Sequence, residues 1–106
     1  MTKFLIKASY TSAGVKGLLN VGGTSRKQAV EKVVADIGGK MECFYFAFGD
    51  HDAYVIVDLP DVVSAAALAL TINATGLVSI STTTLLDPAD VDKATKLSVN
   101  YRAPGN

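Results

Sequence analysis

The stretch Phe44-Tyr45-Phe46-Ala47-Phe48-Gly49-Asp50-His51-Asp52-Ala53-Tyr54-Val55-Ile56-Val57-Asp58 reads as a β-hairpin. Aromatic and β-branched residues dominate both arms, and such residues suit a pleated, packed surface. Gly49-Asp50-His51-Asp52 between them is turn chemistry. Four of the eight aromatic residues of the chain crowd the first arm. The only histidine stands in the turn, between two aspartates. A hairpin this apolar requires cover on both faces, while the charged turn stays wet. The contrast marks the turn as the one obvious polar site.

Working outward, Lys3 to Tyr10 alternates. Phe4, Ile6, Ala8 and Tyr10 form a dry face; Lys3, Leu5, Lys7 and Ser9 form a mixed one. Thr11-Ser12-Ala13-Gly14 reads as a turn, and Val15–Leu19 as a short helix broken at Asn20 and Gly22-Gly23. A longer helix follows, with Thr24 or Ser25 as its cap. Ser25 and Gln28 have capping-box spacing, and Gly38-Gly39 provides the stop. The second strand is predicted over Lys40–Phe48. Strict alternation sets Met41, Cys43, Tyr45 and Ala47 on one face and Glu42, Phe44, Phe46 and Phe48 on the other. Ala53–Leu59 is the third strand. Asp61 caps a helix over Val62–Ala74 that is apolar almost all round, a pattern expected of a helix buried on more than one side. Leu77–Leu86 is the fourth strand, with Val78 and Ile80 on one face and Ser79, Ser81 and Thr83 on the other. Asp87-Pro88 opens a short helix reaching about Leu97.

The order is β-α-β-β-α-β, two β-α-β units in series. This predicts an α+β fold, the ferredoxin-like plait: a four-stranded antiparallel sheet with helices on one face. Residues 1–97 form the domain and 98–106 a tail. The helix-free face of the sheet then carries Leu5, Phe44, Phe46, Phe48, Tyr54 and Ile56, beside Lys7, Ser9, Ser79, Ser81 and Thr83. Burying each large apolar side chain is worth about 1.5–3 kcal/mol, so face-to-face pairing of two sheets is expected. A homodimer with a mixed cavity follows. The alanine-rich Val62–Ala74 helix leaves larger homo-oligomers open, and Tyr101 and Arg102 in the tail could clasp a neighbour.

Composition excludes several classes. Charged residues make up 19% of the 106 residues, below the usual quarter or so. Net charge is zero, and no basic stripe exists to neutralise phosphates, which argues against a nucleic-acid partner. Cys43 is the single cysteine, so no intrachain disulfide forms. No apolar run approaches the length of a membrane span, and the first residues do not read as a signal region. A soluble cytoplasmic protein without a membrane partner is the expectation.

Tyr10-Thr11-Ser12-Ala13-Gly14, the Gly49-Asp50-His51-Asp52 turn, Val55-Ile56-Val57 and Leu59-Pro60-Asp61, in that order, resemble the GYD-domain family. The resemblance runs from about residue 3 to residue 97. The family's glycine–tyrosine–aspartate pattern falls on Gly49, His51 and Asp52, with histidine where tyrosine is usual. The family is similar to the dimeric α/β-barrel proteins, a group of small monooxygenases, isomerases, dehydratases and ligand-sensing domains. The resemblance implies that fold type and no particular activity.

The turn has three readings. His51 is an acid/base with Asp52 or Asp50 as its partner; or Asp50, His51 and Asp52 contribute to a metal site that needs help from Glu42, Asp58 or a second subunit; or the motif is a plain turn in which glycine supplies positive φ and aspartate binds backbone amides. The plain turn is the default, and neither a metal nor a cofactor is assigned. Cys43 is expected to pack against the helices, and Gly22-Gly23-Thr24-Ser25 to be a loop rather than a phosphate cradle. The resulting expectation is a binding or assembly module that holds a small apolar or aromatic molecule between facing sheets. Lys7, Phe44, Phe46, Phe48, Tyr54, Ser79 and Ser81 line that site. The alternative is a cofactor-independent enzyme of monooxygenase or isomerase type, with His51 and Asp52 as its acid/base pair.

Overall fold

A computed structural model describes residues 1–106. The elements are β1 (Thr2–Tyr10), α1 (Ser12–Val21), α2 (Gly23–Asp36), β2 (Lys40–Phe46), β3 (Ala53–Leu59), α3 (Val62–Ala74), β4 (Val78–Leu85) and α4 (Pro88–Ala94). The strands form one antiparallel sheet in the order β2-β3-β1-β4. This is the ferredoxin-like plait that the two β-α-β units predict.

Alternation in β1 and β3 works as expected. Phe4, Ile6 and Ala8 are buried under the helices, as are Ala53, Val55, Val57 and Leu59. Val34 of α2, with Ala65 and Leu68 of α3, closes this core from above. Full burial of such side chains supplies about 1.5–3 kcal/mol each.

Strand β2 departs from strict alternation. Met41 lies opposite Val57, but Cys43 lies opposite Ile56, and the register shifts between them. Glu42 is therefore the extra residue of a β-bulge, and every later side chain changes face. Phe44 pairs with Val55 and Phe46 with Ala53, so both aromatic rings lie on the helix side. Cys43 and Tyr45 lie on the helix-free side, opposite Ile56 and Tyr54. This corrects the expected aromatic ladder on the open face and the expected packing of Cys43 against helices. Phe48 lies beyond the end of β2, with φ 55° and its side chain exposed.

Caps differ in places too. Thr11 caps α1 by accepting from the Gly14 N–H at 3.2 Å, so the predicted turn is a helix start and α1 runs longer than Val15–Leu19. Helix α2 begins at Gly23 with Gly22 as its cap and no side-chain cap, rather than at Thr24 or Ser25. Asp61 caps α3 as expected, accepting from the Ser64 N–H and hydroxyl, each at 2.8 Å. These bonds hold its carboxyl below the usual carboxylate range, the backbone bond most of all.

Helix α3 is not buried on two sides within one chain. Only Ala65 and Leu68 are buried, while Val62, Val63 and Leu70 are exposed. No further layer of this chain lies over its outer face. Helix α4 buries none of its residues, and Leu86, Leu97, Val99 and Tyr101 around it are all exposed. No helix is long and apolar enough to cross a membrane.

Candidate functional site

The β2–β3 turn closes through backbone bonds. The Ala47 N–H donates to the Asp52 carbonyl at 2.9 Å and the Gly49 N–H to the His51 carbonyl at 3.2 Å. The left-handed residue is Phe48, not Gly49. The turn is then tied to β1 from both ends of one residue. The Asp52 N–H donates to the Ala8 carbonyl at 2.8 Å, and Asp52 Oδ2 accepts the Tyr10 N–H at 2.7 Å. The carboxylate thus extends the β1–β3 ladder beyond its last paired residues.

His51 turns to the helix-free face. Its Nδ1 lies 3.3 Å from Ser9 Oγ, and its ring meets Tyr54 edge-on at 5.9 Å between centroids. Neither Asp50 nor Asp52 forms an ion pair with the ring. The partners that the structure gives His51 are a hydroxyl and a phenol, not a carboxylate.

The register lays out the rest of this face in rows. Tyr45, Tyr54, Lys7 and Ser81 form one row across the four strands, with Ser9 and Ser79 paired beyond it toward His51. Cys43, Ile56, Leu5 and Thr83 form the next. Asp58, Lys3 and Leu85 form the last. Lys3 joins Glu42 and lies 3.2 Å from Asp58, and these two carboxylates, Glu42 first, raise its pKa. Glu42 is the bulge residue, so the irregularity that reverses β2 also supplies this ion pair. Lys7 forms no ion pair. The face grades from a polar, aromatic end through an apolar middle to an ion-paired end. Lys7, Tyr54, Ser79 and Ser81 share it with His51; Phe44 and Phe46 do not.

On the helix side, Phe46 is the hub of an aromatic cluster. It meets Phe44 at 5.1 Å and Tyr10 at 6.5 Å edge-on, and Phe48 stacks on it at 5.7 Å. A Cβ on Gly23 would come within 3.0 Å of the Phe46 ring, so the start of α2 rests directly on it. Arg26 of α2 lies over Tyr10, its Cζ 5.9 Å from the ring centre. Sequence reading passed over Arg26 because its partner is a neutral phenol rather than a patterned charge. No three His, Cys, Asp or Glu side chains converge into a ligand set.

A family model, the GYD domain, matches residues 4–95. Neither a curated protein nor a solved structure matches the chain.

Proposed function

The chain belongs to the GYD-domain family, and from that premise we propose that it is a small homo-oligomeric binding module whose copies pair through their helix-free sheet faces. One observation carries the reading: that face presents Leu5, Cys43, Tyr45, Tyr54 and Ile56, of which Tyr45 is exposed and none is fully buried within the chain. A small apolar or aromatic molecule is held between the sheets at the graded end. There Tyr54 offers a ring, Lys7 a cation, and Ser9, Ser79 and Ser81 hydroxyls. This combination of an apolar floor and a few polar groups is how small-molecule sites fix orientation. Tyr101 and Arg102 of the tail clasp the neighbouring copy. Phe44, Phe46 and Phe48 are left out of the site by the bulge in β2.

The test is native mass spectrometry of freshly purified protein, followed by denaturing analysis of what it releases. An oligomer that carries excess mass supports the module and identifies its ligand. A bare monomer at micromolar concentration overturns the pairing.

A second reading has its own support. His51 is half-buried beside Ser9 and Tyr54 on the face that pairing would enclose. Enclosed there, it would act as acid/base for a small substrate, with Ser9 and Tyr54 as its neighbours rather than Asp52. His51→Gln separates the two readings: the module keeps its ligand affinity, whereas the enzyme loses turnover of whatever substrate the released ligand identifies.

A further inference from the structure

Arg26 is half-buried at the junction of α1, α2 and β1. Its Nε donates to the Tyr10 hydroxyl at 3.3 Å. It forms no ion pair, and its two terminal amino groups donate to no acceptor in the chain. A guanidinium carries five N–H donors in a rigid fork, so most of this one is unspent. The Tyr10 oxygen accepts from Arg26, which leaves the phenol proton free to donate to another acceptor.

Three hollows meet at this side chain. The first, about 230 Å³, is a surface cleft floored by Ala13, Gly14, Gly17 and Leu18 of α1 and bounded by Leu77 and Val78. The second, about 90 Å³, runs between α2 and α3 past Val33 and Ile72. The third, about 30 Å³, reaches under α2 into the core. Apart from Arg26 and the Tyr10 hydroxyl, the side chains lining all three are apolar or absent. A lone cation at the head of an apolar cleft interacts more strongly with an opposite charge than one in open water does.

We propose that the α1–α2 cleft is a binding site for a small organic monocarboxylate with an aromatic or other apolar body. The carboxylate pairs with the free edge of the Arg26 guanidinium and accepts the Tyr10 phenol proton. The body lies along α1 over Gly17 and Leu18. One planar cation matches one planar carboxylate, bidentately. No second cation lines the cleft for a doubly charged phosphate. The site lies on the opposite side of the sheet from His51 and does not depend on pairing of the sheets.

Gly17 makes the site testable without disturbing the fold. A Cβ added there meets nothing within 4 Å, and leucine is a far better helix former than glycine. Gly17→Leu therefore fills the cleft and keeps α1. The probe is phenylacetate, followed by nitrogen–proton NMR, with phenylacetamide as the uncharged body of the same shape. Phenylacetate is expected to perturb amides of α1 and the first turns of α2 saturably at millimolar concentration. Phenylacetamide and the Arg26→Gln protein should each bind roughly ten- to a hundredfold more weakly, the loss of a charge-assisted pair. Arg26→Lys, which keeps the charge and loses the fork, should fall between. Gly17→Leu should abolish the perturbation while its spectrum stays folded. The proposal is overturned if phenylacetate gives no saturable shifts, if acid and amide bind alike, if folded Arg26→Gln or Gly17→Leu binds as the parent does, or if the shifts map to the helix-free sheet face.

Discussion

At the scale of single residues, Asp52 shows how a motif suggestive of catalysis does structural work. Its carboxylate accepts the Tyr10 N–H at 2.7 Å while its own N–H donates to Ala8. Both bonds join the turn to the end of β1. Asp52→Ala leaves the Tyr10 N–H without its partner in a half-buried position, and should destabilise the fold by about 1–3 kcal/mol in urea unfolding. Asp52→Asn keeps an acceptor and should cost much less; equal losses in the two variants would refute the hydrogen-bond account. Asp61 makes a different prediction, in pH. Its carboxyl is held below the ordinary range by the Ser64 backbone and hydroxyl. A depressed folded value stabilises the native state above the unfolded carboxylate value, about 4, and that contribution is lost as pH falls through the folded value. The urea midpoint should therefore drop more between pH 7 and pH 3 in the parent than in Asp61→Asn, whose cap does not titrate. The Asp61 cap was legible from sequence because capping is local. The role of Asp52 was not, because its partner is 42 positions away.

At the scale of elements, the same divide between local and distant partners explains β2. The period-two pattern of Lys40–Phe48 gives the strand but not the bulge, since nothing in the local residues marks Glu42 as extra. What sets it is tertiary: Glu42 reaches Lys3 across the sheet, and Phe46 fits under Gly23. The reading of Phe44 and Phe46 therefore slipped by one face, while β1 and β3, without bulges, read correctly. Helix α1 offers a test of its own packing. A Cβ on Gly14 would come within 2.1 Å of the Leu77 carbonyl oxygen, the same oxygen that accepts from Thr11 N–H at 3.0 Å. Gly17, one turn on, has open space. Gly14→Ala should thus destabilise by at least about 1 kcal/mol, as overpacking does. Gly17→Ala should stabilise by about 0.5–1 kcal/mol through helix propensity alone. Paired thermal melts of the two variants check this, and a Gly14→Ala protein as stable as the parent would show that α1 is not seated on Leu77 as described.

At the scale of the whole molecule, the single chain exposes more surface than a compact protein of its size. Its accessible surface is 7187 Å², against roughly 5,700 Å² for a compact protein of this mass. Its radius of gyration is 16.9 Å, against about 13 Å for a compact domain of this length. Only 12 of 106 residues are buried. The surplus surface is of the order of what each partner gives up in an ordinary interface, about 800 Å² or more. Three regions contribute to it: the helix-free sheet face, the outer face of α3 with Val62, Val63 and Leu70, and the segment from Leu86 to Tyr101, where α4 buries nothing. The first and the last predict separable effects. Leu5→Lys with Ile56→Lys places charge in the apolar row of the sheet face and should shift the protein to monomer in sedimentation velocity, with its circular dichroism unchanged. Removal of Ser98–Asn106 strips Val99, Tyr101 and Arg102, which rest on nothing in their own chain that buries them. The truncated protein should keep the urea midpoint of a dilute monomeric sample, because the body loses no buried contact. Its self-association should weaken measurably if the tail clasps a second copy. An unchanged association constant would take the tail out of the interface, and a fall in the monomer's own stability would mean that the tail folds back on its own body instead.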